Sequence, residues 1–287
     1  MKMSQWFENR TAVLATMHGK ERAIAPPLRS SLKLEVIVPE NFNTDVFGTF
    51  TREIKRPDTQ LETARRKALK AMEITGNSIG IASEGSFYPY PGLPLLSCDR
   101  EIVLLIDKVN DLEIIGETIS TDTNHHHQSI TSVAQALEFA RKVGFPRQGL
   151  VVMLTKDATE REDIFKGITG EENLIEVVKS FLDKSPHKSI HIETDLRAML
   201  NPSRMKAIEA ATLDLIQKIN RPCPMCHRPG FEVKERIKGL PCKLCHAPTE
   251  LVRAEVYSCS GCDYREEKAF PRGDTSADPM YCNYCNP

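Results

Sequence analysis

The sequence predicts an α/β domain, a mixed sheet with flanking helices, over residues 1–220, followed by a small zinc-ribbon domain over residues 221–287. Three observations lead there. Short apolar runs alternate with segments of helical period through the first 220 residues, the pattern of a sheet covered by helices. Composition changes at "QKINRPCP", after which Cys, Pro and Gly become frequent. Eight of the nine cysteines follow that break, in four Cys-x-x-Cys pairs.

The elements follow in order. "TAVLATM" predicts a first strand. "GKERAIAPPLRSSL" begins as a helix that Pro26 and Pro27 cut short, because proline removes a helical N–H and clashes with the preceding turn. "KLEVIVP" is a second strand and "NTDVFGTFTREIKRP" a polar loop with room for a short strand. "TQLETARRKALKAMEITG" is the strongest helix: Leu61, Ala64, Ala68, Ala71 and Met72 recur at helical spacing, Thr59 can cap it and Gly76 can end it. "SIGIASEGSF" reads as a buried strand, Ile79 to Ala82, that stops in a carboxylate, a glycine and two hydroxyls. "REIVLLIDKVNDLEIIGETIS" predicts a long hairpin turning near Asn110-Asp111. A helix ("SITSVAQALEFARKVG"), a strand ("GLVVMLTK"), a helix ("EENLIEVVKSFLDKS"), a strand ("KSIHIET") and a last amphipathic helix ("NPSRMKAIEAATLDLIQKI") complete the domain.

Composition bounds the function. The chain is 40% hydrophobic and 27% charged with a formal net charge of −1, so no global field draws it to nucleic acid or a membrane surface. No apolar run approaches the ~20 residues of a membrane span. The opening residues "MKMSQWFENRTAVLATMHGK" lack the apolar core of a secretory signal. The expectation is a cytoplasmic protein, in which paired cysteines bind metal rather than form disulfides.

The four pairs are Cys223/Cys226, Cys242/Cys245, Cys259/Cys262 and Cys282/Cys285. Two such knuckles complete one tetrahedral thiolate site, so four predict two structural zinc ions with no open coordination position. Sequential and interleaved pairing fit the spacing equally. His227 and His246 each follow a knuckle and are expected beside the sites, not as ligands. From residue 221 on, ten Lys/Arg face nine Asp/Glu, which is no basic patch and argues against nucleic acid as the ribbon's partner.

Polar residues gather at four places in the α/β part. His18-Gly19-Lys20 follows the first strand, where a glycine lets backbone N–H groups approach a phosphate and a lysine adds charge. Asn43, Thr44, Asp45, Gly48, Thr49 and Thr51 crowd one loop. Glu62 and Lys67 lie on the strong helix, and Ser83, Glu84 and Ser86 lie in "SEGS". Two carboxylates beside a lysine and a glycine are an inventory for Mg²⁺ and phosphate, since Mg²⁺ takes one or two carboxylates and leaves the rest of its shell to water and phosphate oxygens.

These residues carry two resemblances. Strand, Gly/Lys turn, strand, polar loop, "ETARRKA" helix, "SEGS" and long hairpin, over residues 12 to about 183, resemble the inosine-triphosphate-pyrophosphatase-like fold. "ETARRKA" matches that family's Glu, Ala, Lys and Ala at Glu62, Ala64, Lys67 and Ala68, and "GLVVMLTKDATERED" is similar to its late strand and loop, with Arg161 as the arginine. "TMHGK" departs by lacking the family's asparagine, and "SEGS" by offering a single carboxylate. The string "GKE…FNTDxFGTFT…ETAxxKA…GIASEGSF…ETDxRAxxNPxRM…CPxC" resembles a family of uncharacterised bacterial proteins, which implies the two-part architecture and no reaction.

The resemblance implies a Mg²⁺-dependent phosphohydrolase of a nucleotide or related phosphate compound. Glu62 and Glu84 would hold the metal, Asp45 would orient water or metal, and Lys20, Lys67 and Arg161 would neutralise phosphate. Ser83 and Ser86 would line the site. A fifth cluster, Glu193, Asp195, Arg197 and Arg204, surrounds the start of the last helix, and Asp195 and Arg197 are further candidates for substrate contact. The other reading is a non-enzymatic ligand sensor whose ribbon binds a partner protein or nucleic acid. His125, His126 and His127 are expected in a solvated loop and Cys98 as a buried thiol.

Overall fold

The computed structural model describes residues 3–47, 58–90 and 93–287. It has two compact units, Phe7–Ile216 and Met1–Trp6 with Gln217–Pro287.

The larger unit holds two sheets. The first contains β1 (Thr11–Ala15), β2 (Glu35–Ile37), β3 (Ile79–Tyr90), β4 (Leu93–Asp107) and β5 (Leu112–Ser120) in the order β2-β1-β3-β4-β5. β1 runs parallel to β2 and β3, whereas β3, β4 and β5 are antiparallel neighbours. This is the mixed sheet expected. The second contains β6 (His127–Ile130), β7 (Leu150–Met153), β8 (Ile164–Ile168) and β9 (Ile190–Thr194) in the order β6-β9-β7-β8, antiparallel throughout. The later strands therefore form a sheet of their own. Its edge strands β6 and β8 fall in segments whose sequence shows no strand period, three of the four residues of β6 being exposed.

Helices cover the sheets as the apolar periods dictate. α2 (Gln60–Thr75) starts at Thr59, whose side chain accepts the Glu62 N–H, and ends at Gly76 with φ 71°. Its buried Ala64, Ala68, Ala71 and Met72 pack with Val13, Ala15, Ala82, Ile102 and Leu104 on one face of the first sheet. α1 (Glu21–Leu32) runs straight through Pro26 and Pro27 instead of stopping there. Its Ala23, Ile24, Leu28 and Leu32 are buried while Pro26 is exposed, so burial of the apolar stripe outweighs the two lost N–H groups. α3 (Val133–Val143) and α4 (Glu171–Lys184) share a core with the second sheet through Phe139, Val143, Val178, Phe181, Ile190 and Ile192. α5 (Pro202–Ile219) begins at Asn201, whose Oδ1 accepts the Arg204 N–H at 3.1 Å. Its backbone lies against Gly116 of β5, where a Cβ would meet the Ala211 carbonyl at 2.1 Å.

"SEGS" does not end a strand. β3 continues to Tyr90 and stays paired with β4 through all four residues. What ends there is the parallel neighbour: the last β1–β3 register pair is Ala15 with Ala82.

The smaller unit is built on β10 (Glu232–Lys238), β11 (Val252–Ser258) and β12 (Arg265–Ala269), an antiparallel meander. Among the described residues no helix is long and apolar enough to cross a membrane.

Candidate functional site

The eight paired cysteines form two four-cysteine clusters, Cys223/Cys226/Cys259/Cys262 and Cys242/Cys245/Cys282/Cys285, within each of which all ligand atoms lie within 4.8 Å of one another. Pairing is thus interleaved, first knuckle with third and second with fourth. Sulfur–sulfur separations are 3.7 Å for Cys223–Cys262, 3.5 Å for Cys226–Cys259, 3.9 Å for Cys242–Cys285 and 3.5 Å for Cys245–Cys282. A tetrahedron with metal–sulfur bonds of ~2.3 Å has edges of about 3.8 Å, so both clusters have the dimensions of a metal site. Their electrostatics ask for a cation. Backbone N–H groups of Cys285 and Tyr284 draw Cys282 down to about 7, while the Cys245 sulfur, burial and the other thiols push Cys285 up to about 12. Four thiolates cannot coexist there without positive charge.

The knuckles are held by one turn used twice. The His227 N–H donates to the Cys223 carbonyl and the His246 N–H to the Cys242 carbonyl, and both histidines have φ 60°. The histidines therefore serve as turn residues and belong to neither cluster.

The second site lies in the larger unit where β1 ends. Side chains alternate across a strand, so Glu84 faces α2 while Ser83 and Gly85 face the other side, joined by the register partners of Gly85 and Phe87, which are Glu101 and Asp99. Lys67 Nζ donates to Glu84 Oε1 at 2.5 Å. Arg204 Nε donates to Glu101 Oε1 at 2.5 Å, and its Nη1 to the Leu196 carbonyl at 2.5 Å. All four charged side chains are buried. Gly85 makes the second pair sterically feasible, because a Cβ there would sit 2.2 Å from Glu101 Oε1 and 2.6 Å from an Arg204 terminal nitrogen.

Two further buried charges border these pairs. Lys20 Nζ donates to the Ser83 carbonyl at 2.6 Å and to Ser83 Oγ at 3.3 Å. Among the described residues no carboxylate lies within ion-pair distance of it. Burial, then the nearby Arg204, lowers its ammonium to about 8 against the pull of Glu101 and Glu84. Asp99 is 2% exposed and its Oδ1 has no hydrogen-bond partner among the described residues. Burial, then Glu101, raises its carboxyl to about 7 against Arg204 and Lys20.

The structure brings Lys20, Lys67, Ser83 and Glu84 together. Ser86 is adjacent, its Oγ donating to Gln60 Oε1 at 3.2 Å, while Gln60 Nε2 donates to the Glu84 carbonyl at 2.6 Å. Glu62 is not in the group: it is exposed and paired with Arg65, which also binds Glu113 of β5. Glu62 and Lys67 sit on different faces of α2, as their spacing of five implies. Arg161 is exposed in the turn Arg161–Asp163, ahead of the edge strand β8. Asp195 and Arg197 pair with each other at 2.7 Å, and Asp195 also accepts the Gly167 N–H at 3.2 Å, an arrangement that ties the α5 entry to β8. Of the fifth cluster only Arg204 joins the site. The Asp45 turn, Thr44–Phe47, touches the β1–α1 connection through the Thr44 N–H and Met17 Sδ, 3.3 Å apart. The Asp45 side chain, Gly48, Thr49 and Thr51 lie outside the described residues.

Sequence reasoning missed Asp99 and Glu101. The signal was "CDREIVLLI": two acidic residues at i and i+2 opening an apolar strand place two carboxylates on one face of the sheet. His127 belongs to β6, and the ring of His125 lies 5.2 Å from Phe87 and 6.1 Å from His127. Cys98 is buried, with Sγ 3.3 Å from the Tyr88 carbonyl.

A family model described as a domain of unknown function (DUF6671) matches residues 67–287. No curated protein matches the chain.

Proposed function

We propose that this chain, which belongs to the DUF6671 family, is a metal-dependent phosphohydrolase of a nucleotide or related phosphate compound, with two structural zinc ions in its ribbon. The observation that carries the reading is Lys20. Among the described residues it is a buried ammonium whose hydrogen bonds go to the neutral Ser83, flanked by two further buried cations, Lys67 and Arg204, which pair with Glu84 and Glu101. A buried unpaired charge is costly unless a partner arrives, and a phosphate oxygen is such a partner. Gly19, with φ 71°, opens the turn that presents Lys20 at the start of α1.

In the reaction a water oxygen forms a new bond to phosphorus. The phosphoanhydride P–O bond breaks, the leaving phosphate takes the electron pair, and a proton passes to solvent. A divalent cation held by carboxylates of the cluster would supply Lewis-acid polarisation and activate the water. Lys20 would hold the transferred phosphate. In the ribbon, eight thiolates fill the coordination of two zinc ions, so that metal does no chemistry.

The test is ³¹P-detected turnover of pooled nucleoside triphosphates with Mg²⁺, wild type against Lys20→Met. Release of phosphate or pyrophosphate that falls at least tenfold in the variant supports the reading. Absence of release from the wild type, or equal release from both, sinks it.

One observation favours a second reading, ligand sensing with a ribbon that docks a partner. Met225, Leu244 and Tyr284, each inside a Cys-x-x-Cys knuckle, are 67%, 70% and 78% exposed. That reading predicts stabilisation by nucleotides without turnover.

A further inference from the structure

We infer that Asp99 and Glu101 form a divalent-cation site on β4, just beyond the point where the β1–β3 pairing ends. Two features converge there. The two carboxylates occupy alternate positions of one strand and so share a face. Both are almost completely buried, at 2% and 0% exposure, and each retains a buried oxygen, Asp99 Oδ1 and Glu101 Oε2, with no hydrogen-bond partner among the described residues. The residue opposite Glu101 is Gly85, whose lack of a Cβ leaves the room that the Glu101 carboxylate and Arg204 fill.

Lys67 pairs with Glu84 and Arg204 with Glu101 Oε1, while Asp99, which feels the charges of Arg204 and Lys20, forms an ion pair with neither among the described residues. Buried carboxylate oxygens in native proteins are bonded or coordinated. Two of them on one strand face are a donor set for a hard cation such as Mg²⁺ or Mn²⁺, which accepts one or two carboxylates and completes its shell with water and phosphate oxygens. Arg204, holding Glu101 through Oε1, fixes the rotamer that presents Oε2. It acts as a positioning residue, as outer partners of metal ligands do. The site deepens the hydrolase reading and rests on it for its role, replacing Glu62, which is turned away and paired with Arg65.

The test needs no turnover. Mn²⁺ is titrated into the zinc-loaded full-length chain and free Mn²⁺ is read by electron paramagnetic resonance. Zinc-filled thiolate clusters do not exchange with Mn²⁺, which binds such ligands more weakly. One Mn²⁺ per chain is expected, with affinity at least tenfold lower in Asp99→Asn and Glu101→Gln and unchanged in Glu62→Gln. Asp99 Oδ1 makes no hydrogen bond to lose, so Asp99→Asn decides the matter even if Glu101→Gln fails to fold. No Mn²⁺ binding at millimolar concentration, or equal binding by the wild type and Asp99→Asn, overturns the site. Mn²⁺ binding without nucleotide hydrolysis would retain the site and discard the hydrolase.

Discussion

Gly85 stands directly across the β3–β4 ladder from Glu101, and a single methyl group at position 85 would lie 2.2 Å from Glu101 Oε1. The glycine in "SEGS" is there for what its neighbour carries. Gly85→Ala should push the Glu101–Arg204 pair off its geometry and cost about 1–3 kcal/mol, as overpacking of a filled interior does. Urea unfolding checks this. An unchanged midpoint would mean the pair can move aside freely.

The Glu101–Arg204 pair is buried at both ends, with side-chain exposures of 0% and 2%. Arg204→Ala should cost about 3–5 kcal/mol, because it strands a carboxylate in the interior. Adding Glu101→Ala should recover part of the loss, and a double-mutant cycle reads the coupling. Fully additive losses would refute the pairing.

Lys20 gives the pH dependence. Its folded-state value, lowered to about 8 chiefly by burial, lies below the ordinary 10.5. Between those limits the unfolded chain binds more protons, so wild-type stability should rise relative to Lys20→Met as pH goes from about 8 to 10.5. Phosphate affinity should move oppositely and fall above pH 8 as the ammonium is lost. Thermal melts and inorganic phosphate titration at a series of pH values measure both.

The interleaved clusters are tested by metal content. Cys226→Ser with Cys259→Ser should remove one ion per chain and leave the other. Cys226→Ser with Cys245→Ser should remove both. Elemental analysis of the purified variants for zinc reads this, and sequential pairing predicts the reverse.

How far the sequence could be read depended on whether a signal was local. α2 was legible because Thr59, the apolar period and Gly76 all lie within or beside the helix they define. α1 was misread at Pro26 and Pro27 because the burial that rescues it comes from residues distant in sequence. "SEGS" looked like a strand end because its polar residues answer to partners on other elements: Glu84 to Lys67, Ser83 to Lys20, Gly85 to the Glu101–Arg204 pair. Glu62 and Lys67 match a motif equally well, yet only Lys67 faces the strand. That the cysteines gather in sets of four follows from spacing, whereas their pairing depends on which strands meet. β6 and β8 are short edge strands without alternation, so no period announces them.

The crossing of the two cysteine sets also bears on how the chain is made. An ion in either cluster would bridge a knuckle to the next but one, so the loops 223–262 and 242–285 overlap. During synthesis neither cluster can close until the third knuckle has left the ribosome, and the second waits for the fourth, at Cys285. A product cut between residues 246 and 258 would retain two knuckles and no complete site. A ribbon holding both ions is therefore one in which all four knuckles have been made and have found each other.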